Sequence, residues 1–308
     1  MSGGEQLQRR FPDIAHRCGA GEILDERYVL RAPLGAGGAG VVWSAEHLSH
    51  GGRVAIKVLG EHRDFLLTQR LRREADLLQS VRHLGLVRVY DIVECDFNGL
   101  PALVMELLRG EDLARRMDRI HGFDVVTFAT LLLPAIDALV ALHQRAIAHR
   151  DLKPSNLFIE IDESGAEFAK VLDLGLARCV DPDADGGVSR LTESGISVGT
   201  PQYMAPEQLM GARDVDCLAD VWAAGVILFE GLSGQRWTVP TGHFRGENAQ
   251  IGRRVEAMGE HVPAALRELI VQCLSLTKER RPAMKRVRDE LAVFAAVPKL
   301  PAGAFKAT

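Results

Sequence analysis

The stretch His149-Arg150-Asp151-Leu152-Lys153-Pro154-Ser155-Asn156 places a carboxylate, an ammonium and a carboxamide within six residues. A short apolar run follows (Leu157, Phe158, Ile159 and Ile161), and then Asp173-Leu174-Gly175. Phosphoryl transfer calls for such a set: a carboxylate to orient the attacking hydroxyl, a cation to meet the charge on the moving phosphate, and hard oxygen ligands for magnesium. The bland alternative for residues 149–151 is a charged surface turn. Upstream, Gly35-Ala36-Gly37-Gly38-Ala39-Gly40 has the G-x-G-x-x-G spacing that dinucleotide-binding folds share. In that fold a helix follows the glycines, whereas here Val41-Val42-Trp43 begins a second strand. Lys57 closes the run Val54-Ala55-Ile56. A lysine turned inward from such a strand is costly unless its charge is paired; the alternative is an exposed lysine at a strand end. Glu74, on the following helical stretch, is one candidate partner. Glu61 is too close along the strand, Asp64 is a further local candidate, and Asp76, two positions from Glu74, projects from another helix face.

These residues need elements to hold them. Tyr28-Val29-Leu30, Val41-Val42-Trp43 and Val54-Ala55-Ile56-Lys57-Val58 read as strands joined by the glycine turn and by Ser49-His50-Gly51-Gly52. β-Branched and aromatic residues flanking glycine turns predict an antiparallel meander. Residues 64–81 switch to helical spacing, with Leu67, Leu71, Ala75 and Leu78 on one side. Strand-like runs follow over 86–93 and 102–105. Beyond Arg109-Gly110 the character changes. Residues 125–146 are a long apolar helical stretch in which Pro134 marks a helix start or a kink. Residues 157–161 and 169–172 read as a hairpin around Asp162-Glu163-Ser164-Gly165, and helices are expected over 221–232, 264–276 and 284–294. The chain therefore reads as an extension over 1–24, a small strand-rich lobe over 25–107, a larger helical lobe over 108–297, and a flexible tail or linker start over 298–308.

Composition narrows the classes. With 308 residues, 47% of them hydrophobic, the chain can bury one large core or two lobes. A net charge of −4 gives no support to a general nucleic-acid binder. The basic cluster Arg70-Leu71-Arg72-Arg73 fits the exposed face of a helix. Cys18, Cys95, Cys179, Cys217 and Cys273 show no metal or redox spacing, which suits reduced thiols in a cytoplasmic protein. Residues 1–21 lack the apolar run of a signal peptide, and no membrane segment is expected.

The motifs resemble the protein-kinase family in its serine/threonine branch, over about residues 28–296. The fold this implies is α+β and two-lobed: a small antiparallel-sheet N-lobe with one main helix, and a larger helical C-lobe. On that resemblance residues 149–156 are the catalytic loop. Asp173-Leu174-Gly175 is the metal-binding element, with Leu where Phe is usual. Asp151 would accept or orient the hydroxyl proton, Lys153 would neutralise the transferring phosphoryl group, and Asn156 and Asp173 would hold Mg2+. Gly35, Gly37 and Gly40 would cover the ATP phosphates, and Lys57, held by Glu74, would bind them. Met105 fits the position that controls access behind the adenine. Glu106 and Leu108 would offer backbone groups to its edge, and Val42, Ala55 and Phe158 would sandwich it. Asp112 would reach the ribose or simply be solvated. His149 would stack in an internal column with Leu78, Val89 and Leu174, not act as a base. Glu207 and Arg281 would form a buried ion pair, and Asp220 would cap the catalytic-loop backbone.

The resemblance also implies a substrate class. Lys153-Pro154-Ser155-Asn156 is the serine/threonine-type loop, where tyrosine kinases carry an Ala-Arg type segment. Residues 199–207 resemble the peptide-positioning segment, with Thr200 hydrogen-bonding near Asp151 and Lys153; kinases of small molecules generally lack this block. The implied activity is ATP- and Mg2+-dependent phosphorylation of protein serines and threonines, self-phosphorylation through self-association included. Leu24-Asp25-Glu26-Arg27-Tyr28 and Arg88-Val89-Tyr90-Asp91 make the chain most like bacterial serine/threonine kinases. Arg150 would pair with a phosphate on Ser189, Thr192, Ser194 or Ser197, although Ile196 stands four before Thr200, where many relatives carry the modified residue. The competing readings are a catalytically silent scaffold and a small-molecule phosphotransferase. The presence of Lys57, Asp151, Asn156 and Asp173 speaks against the first, and the 200–207 block against the second.

Overall fold

The computed structural model describes residues 19–37, 40–59, 79–95, 101–172, 201–211, 215–238 and 247–296. They fall into two compact units. The small one comprises the described residues of Met1–His83 and Val87–Leu108; the large one those of Leu84–Leu86, Arg109–Leu174 and Asp185–Thr308.

The small unit is built on a six-stranded antiparallel sheet of order β1-β2-β3-β4-β6-β5. The strands are β1 (Ile23–Leu24), β2 (Tyr28–Gly37), β3 (Gly40–His47), β4 (Arg53–Leu59), β5 (Val89–Glu94) and β6 (Pro101–Glu106). Strand geometry sends alternate side chains to opposite faces. Val54, Ile56 and Val58 accordingly join Leu30, Val41, Trp43 and Val104 in a core on one face. Ala55 and Lys57 take the other. The strand expected over 86–93 begins only at Val89, because Leu86 instead bridges to Val171 in the large unit. Of the helix expected over 64–81, only residues 79–81 are described: residues 79 and 80 are helical, and Val81 lies just past the helix.

The large unit pairs a three-stranded sheet, β7 (Gly110–Asp112), β8 (Leu157–Ile161) and β9 (Glu167–Val171), with helices. These are α1 (Leu113–Arg119), α2 (Val125–His143), α3 (Pro206–Leu209), α4 (Leu218–Ser233), α5 (Glu247–Glu256), α6 (Ala264–Cys273) and α7 (Met284–Ala292). The hairpin of β8 and β9 stands as expected, with Leu157 opposite Val171. Helix α2 starts at its cap Asp124, so Pro134 lies inside it and does not begin it. Proline withdraws an N–H from the helix ladder, and packing offsets the loss. Phe128, Leu131, Leu132, Leu139 and Leu142 of α2 are buried, each contributing about 1.5–3 kcal/mol of burial. The backbone at Gly85 also passes so close to Pro134 that a Cβ there would lie 1.8 Å from the Pro134 carbonyl oxygen. Among the described helices α2 alone has the length and apolarity to cross a membrane, and here it is a packed core helix. Helix α4 ends on Gly234 in the left-handed conformation (φ 68°) that a helix C-terminus favours.

Helices α1 and α5 and the short strands β1 and β7 fall outside the expected elements. In α1 only Leu113 and Met117 are buried, one turn apart, among arginines. Helix α5 is largely polar, and β1 and β7 have two and three residues.

Candidate active site

The loop 149–156 hangs between α2 and β8. His149 is fully buried, and its Nε2 lies 2.8 Å from the Leu172 carbonyl. A carbonyl only accepts, so Nε2 carries the proton and Nδ1 is left to face the Asp151 N–H at 3.3 Å. His149 is thus a packing and hydrogen-bonding residue. Arg150 follows with a left-handed backbone (φ 62°). Asp220 of α4, 1% exposed, accepts from the backbone N–H groups of His149 and Arg150, each at 2.8 Å. It also contacts His143 Nε2 at 2.8 Å. A fully buried carboxylate is tolerable only with such partners. His143, at the end of α2, is a member of this network that the sequence reading missed. Its place at the foot of an apolar helix gave no chemical signal.

The acidic and basic groups converge as expected. Lys153 Nζ sits 2.8 Å from Asp151 Oδ2. Asn156 Nδ2 donates to the Asp151 carbonyl at 2.8 Å and to Oδ2 at 3.1 Å. Lys153, Pro154 and Asn156 are placed by a single 3-10 turn, Pro154–Asn156, with proline at its start. The carboxamide nitrogen of Asn156 is committed to Asp151, and its carbonyl oxygen is the atom suited to a hard cation. The donor set fits magnesium on this side. The other expected ligand, Asp173, lies outside the described residues, as do Glu74, Thr200, Leu78, Leu174, Cys18, Cys179, Ile196 and the four candidate hydroxyls on residues 189–197.

In the small unit the glycine motif is a strand hairpin, since Gly37 pairs with Gly40 at the ends of β2 and β3. That excludes the strand-then-helix arrangement of dinucleotide folds. Register then collects the expected nucleotide contacts on one face. Gly35 pairs with Val42, Val42 with Lys57, Lys57 with Leu103, and Ala55 with Met105. Paired residues share a face of a sheet, so Gly35, Val42, Ala55, Lys57 and Met105 point the same way. Lys57 is 4% exposed. The Glu106 N–H is used by the Arg88 carbonyl at 3.0 Å, which leaves its carbonyl as its candidate contact, and Leu108 is half-buried. In the large unit Phe158 lies opposite Asp112 in the β7–β8 ladder. Asp112 has a role the sequence reading did not assign: its Oδ1 caps α1 by accepting the Arg115 N–H at 2.9 Å.

Supports behind the loop are also in place. Arg281, its side chain wholly buried, grips both Glu207 oxygens at 2.7 and 2.8 Å. It also donates to the Ser275 and Leu218 carbonyls at 2.9 and 3.0 Å. Burial, with help from Asp220 and Asp216, pushes the Cys217 thiol up to about 11. Burial raises Cys273 to about 12. Both are packing groups at neutral pH, not nucleophiles.

Residues 28–291 match the family described as Protein kinase domain. The chain belongs to the protein kinase family. It is 40% identical over 223 residues to serine/threonine-protein kinase pkn2 of Myxococcus xanthus, covering 69% of this chain and 25% of that protein. With PknA of Mycobacterium tuberculosis it shares 32% identity over 270 residues, covering 86% of this chain and 59% of the relative. The chain spans about a quarter to a third of the length of the first curated relatives it matches. The kinase domain of Mycobacterium tuberculosis PknI superposes with a TM-score of 0.67 at 23% identity, covering 90% of this chain and 99% of that domain. That likeness shows the kinase fold: α+β, an antiparallel N-terminal sheet followed by a helical C-terminal region. Pkn2 and PknA both carry the name serine/threonine-protein kinase, the branch the sequence resembles.

Proposed function

We propose that this chain is a catalytically active protein serine/threonine kinase, transferring the γ-phosphate of ATP to hydroxyls of proteins, itself included. The observation that carries the reading is the cluster of Asp151, Lys153 and Asn156, joined by contacts of 2.8–3.1 Å on a loop braced by Asp220. In this reading Asp151 orients the acceptor hydroxyl and takes its proton, while Lys153 meets the charge on the moving phosphoryl group. Lys57, with Glu74, binds the nucleotide phosphates. Val42, Ala55, Met105, Glu106, Leu108 and Phe158 hold the adenine, and Gly35, Gly37 and Gly40 cover the phosphates. Asn156 and Asp173 would hold Mg2+, which neutralises phosphate charge when bound. Residues 25–107 and 108–297 serve as the two lobes.

The test is incubation with labelled ATP, with magnesium or with a chelator, followed by phosphoamino-acid analysis. Magnesium-dependent label on serine or threonine is the expected result. Nucleotide binding without any transfer would mean a silent scaffold. Label appearing only on added small molecules would mean a phosphotransferase of another class.

A further inference from the structure

Arg150 is the residue on which the catalytic loop bends. Its φ of 62° lies in the left-handed region, disfavoured for any residue bearing a Cβ. The Asp151 N–H reaches back to the His149 carbonyl at 2.9 Å. A three-residue turn with a positive central φ is the rare, strained form, and it persists only where surrounding bonds over-determine it. Asp220 supplies one bond, to the Arg150 N–H. The second bond falls on the next peptide plane. The Arg150 carbonyl accepts from Gln208 Nε2 at 2.8 Å. Because a peptide unit is planar, this same plane carries the Asp151 N–H. A bond to that carbonyl therefore helps to aim the Asp151 side chain.

The other end of the Gln208 carboxamide is committed as well. Its Oε1 accepts the Ala205 N–H at 3.0 Å, at the start of α3. The residue before it, Glu207, is held by buried Arg281. One side chain thus spans from an anchored segment, Ala205 to Gln208, to the plane that precedes Asp151. A small cavity beside the bridge is lined by Arg150, Asp151, Met204, Gln208 and Asp220.

We propose that Gln208 is a positioning residue: its carboxamide sets the Arg150–Asp151 peptide plane and couples the peptide-positioning segment to the carboxylate that receives the acceptor proton. The proposal rests on the kinase reading above. It makes a specific chemical demand, because a carboxamide carries a donor and an acceptor on one planar group. Glutamate keeps the acceptor for Ala205 but turns an oxygen toward the Arg150 carbonyl. Methionine keeps the length and loses both bonds.

The experiment compares wild type, Gln208→Glu and Gln208→Met in the chain as it stands. Three quantities are read: transfer from ATP to dephosphorylated casein and to the enzyme itself, the KM for ATP, and amide hydrogen exchange over residues 149–152. Both variants should lose about tenfold in kcat, the loss expected when one net hydrogen bond disappears from a transition-state arrangement. The KM for ATP should hold. Amides of Arg150 to Leu152 should exchange about tenfold faster while those of α2 do not change. Wild-type kcat and wild-type exchange in both variants would overturn the proposal. So would a uniform quickening of exchange that includes α2, since that marks a general loss of stability. If wild type transfers no phosphate but exchange over 150–152 still depends on Gln208, the bridge stands and the kinase reading fails.

Discussion

In the proposed reading, Asp151 is the residue on which the chemistry turns. It accepts from Lys153 and Asn156 at once, so its carboxylate is oriented before any substrate arrives. Asp151→Asn should leave ATP affinity intact and lower phosphoryl transfer by about 10²–10⁴-fold, the range of general-base catalysis. Single-turnover rates beside equilibrium nucleotide binding check it, and near-normal turnover would remove Asp151 from its role. Arg281 makes a different kind of contribution. Its guanidinium, wholly buried, satisfies Glu207 and two backbone carbonyls. Arg281→Met strands a carboxylate that is 14% exposed and should cost about 3–5 kcal/mol in urea unfolding. The double variant with Glu207→Gln should lose less than the sum of the two single changes, because the stranded charge is gone. Simple additivity would show that the pair is not coupled.

At the scale of elements, capping and register do the positioning. Helix α2 carries the loop at its C-terminal end, and its start depends on Asp124, whose Oδ1 accepts the Thr127 N–H at 2.9 Å. The Thr127 side chain first, then the backbone N–H groups at the helix start, hold the Asp124 carboxyl below its ordinary pKa. A depressed folded pKa gives stability that is present above the unfolded value, about 3.9, and is lost as pH falls through the folded value. Asp124→Ala should therefore cost about 1 kcal/mol at neutral pH. The gap from wild type should close as pH drops below about 4. Unfolding curves from pH 7 to pH 3 measure this, and a gap that does not change with pH would refute the charged cap.

For the whole molecule, the glycine hairpin and Lys57 lie in one compact unit and the 149–156 loop in the other; in the proposed reading both serve MgATP. A ligand bound by the native chain and not by the unfolded one stabilises it by mass action, about 2.7 kcal/mol at a hundredfold excess over Kd. Thermal unfolding should therefore shift upward with MgATP. The shift should shrink with chelator and survive in Asp151→Asn. An Asp151→Asn protein that no longer responds to MgATP would mean that this carboxylate belongs to nucleotide binding.

The part of the site legible in the residue order alone is local. Residues 149–156 are contiguous, so the convergence of Asp151, Lys153 and Asn156 follows from chain connectivity and one proline-started turn. The alternation in 54–58 likewise separates Lys57 from the core, because side-chain direction in a strand has a period of two residues. Resemblance to a family carried the longer-range pairs, Glu207 with Arg281 and Asp220 with the loop backbone, onto particular residues. The remaining contacts come from the folded chain. It placed His143 on Asp220, put Pro134 inside α2, gave Asp112 to a helix cap, and set Gln208 against the Arg150 carbonyl. Asp112 apart, a residue type that favours helix starts, those contacts join a generic residue to a group that its type does not predict. A hydrogen bond to a carbonyl depends on where the folded chain puts that carbonyl, and composition and spacing carry no trace of it.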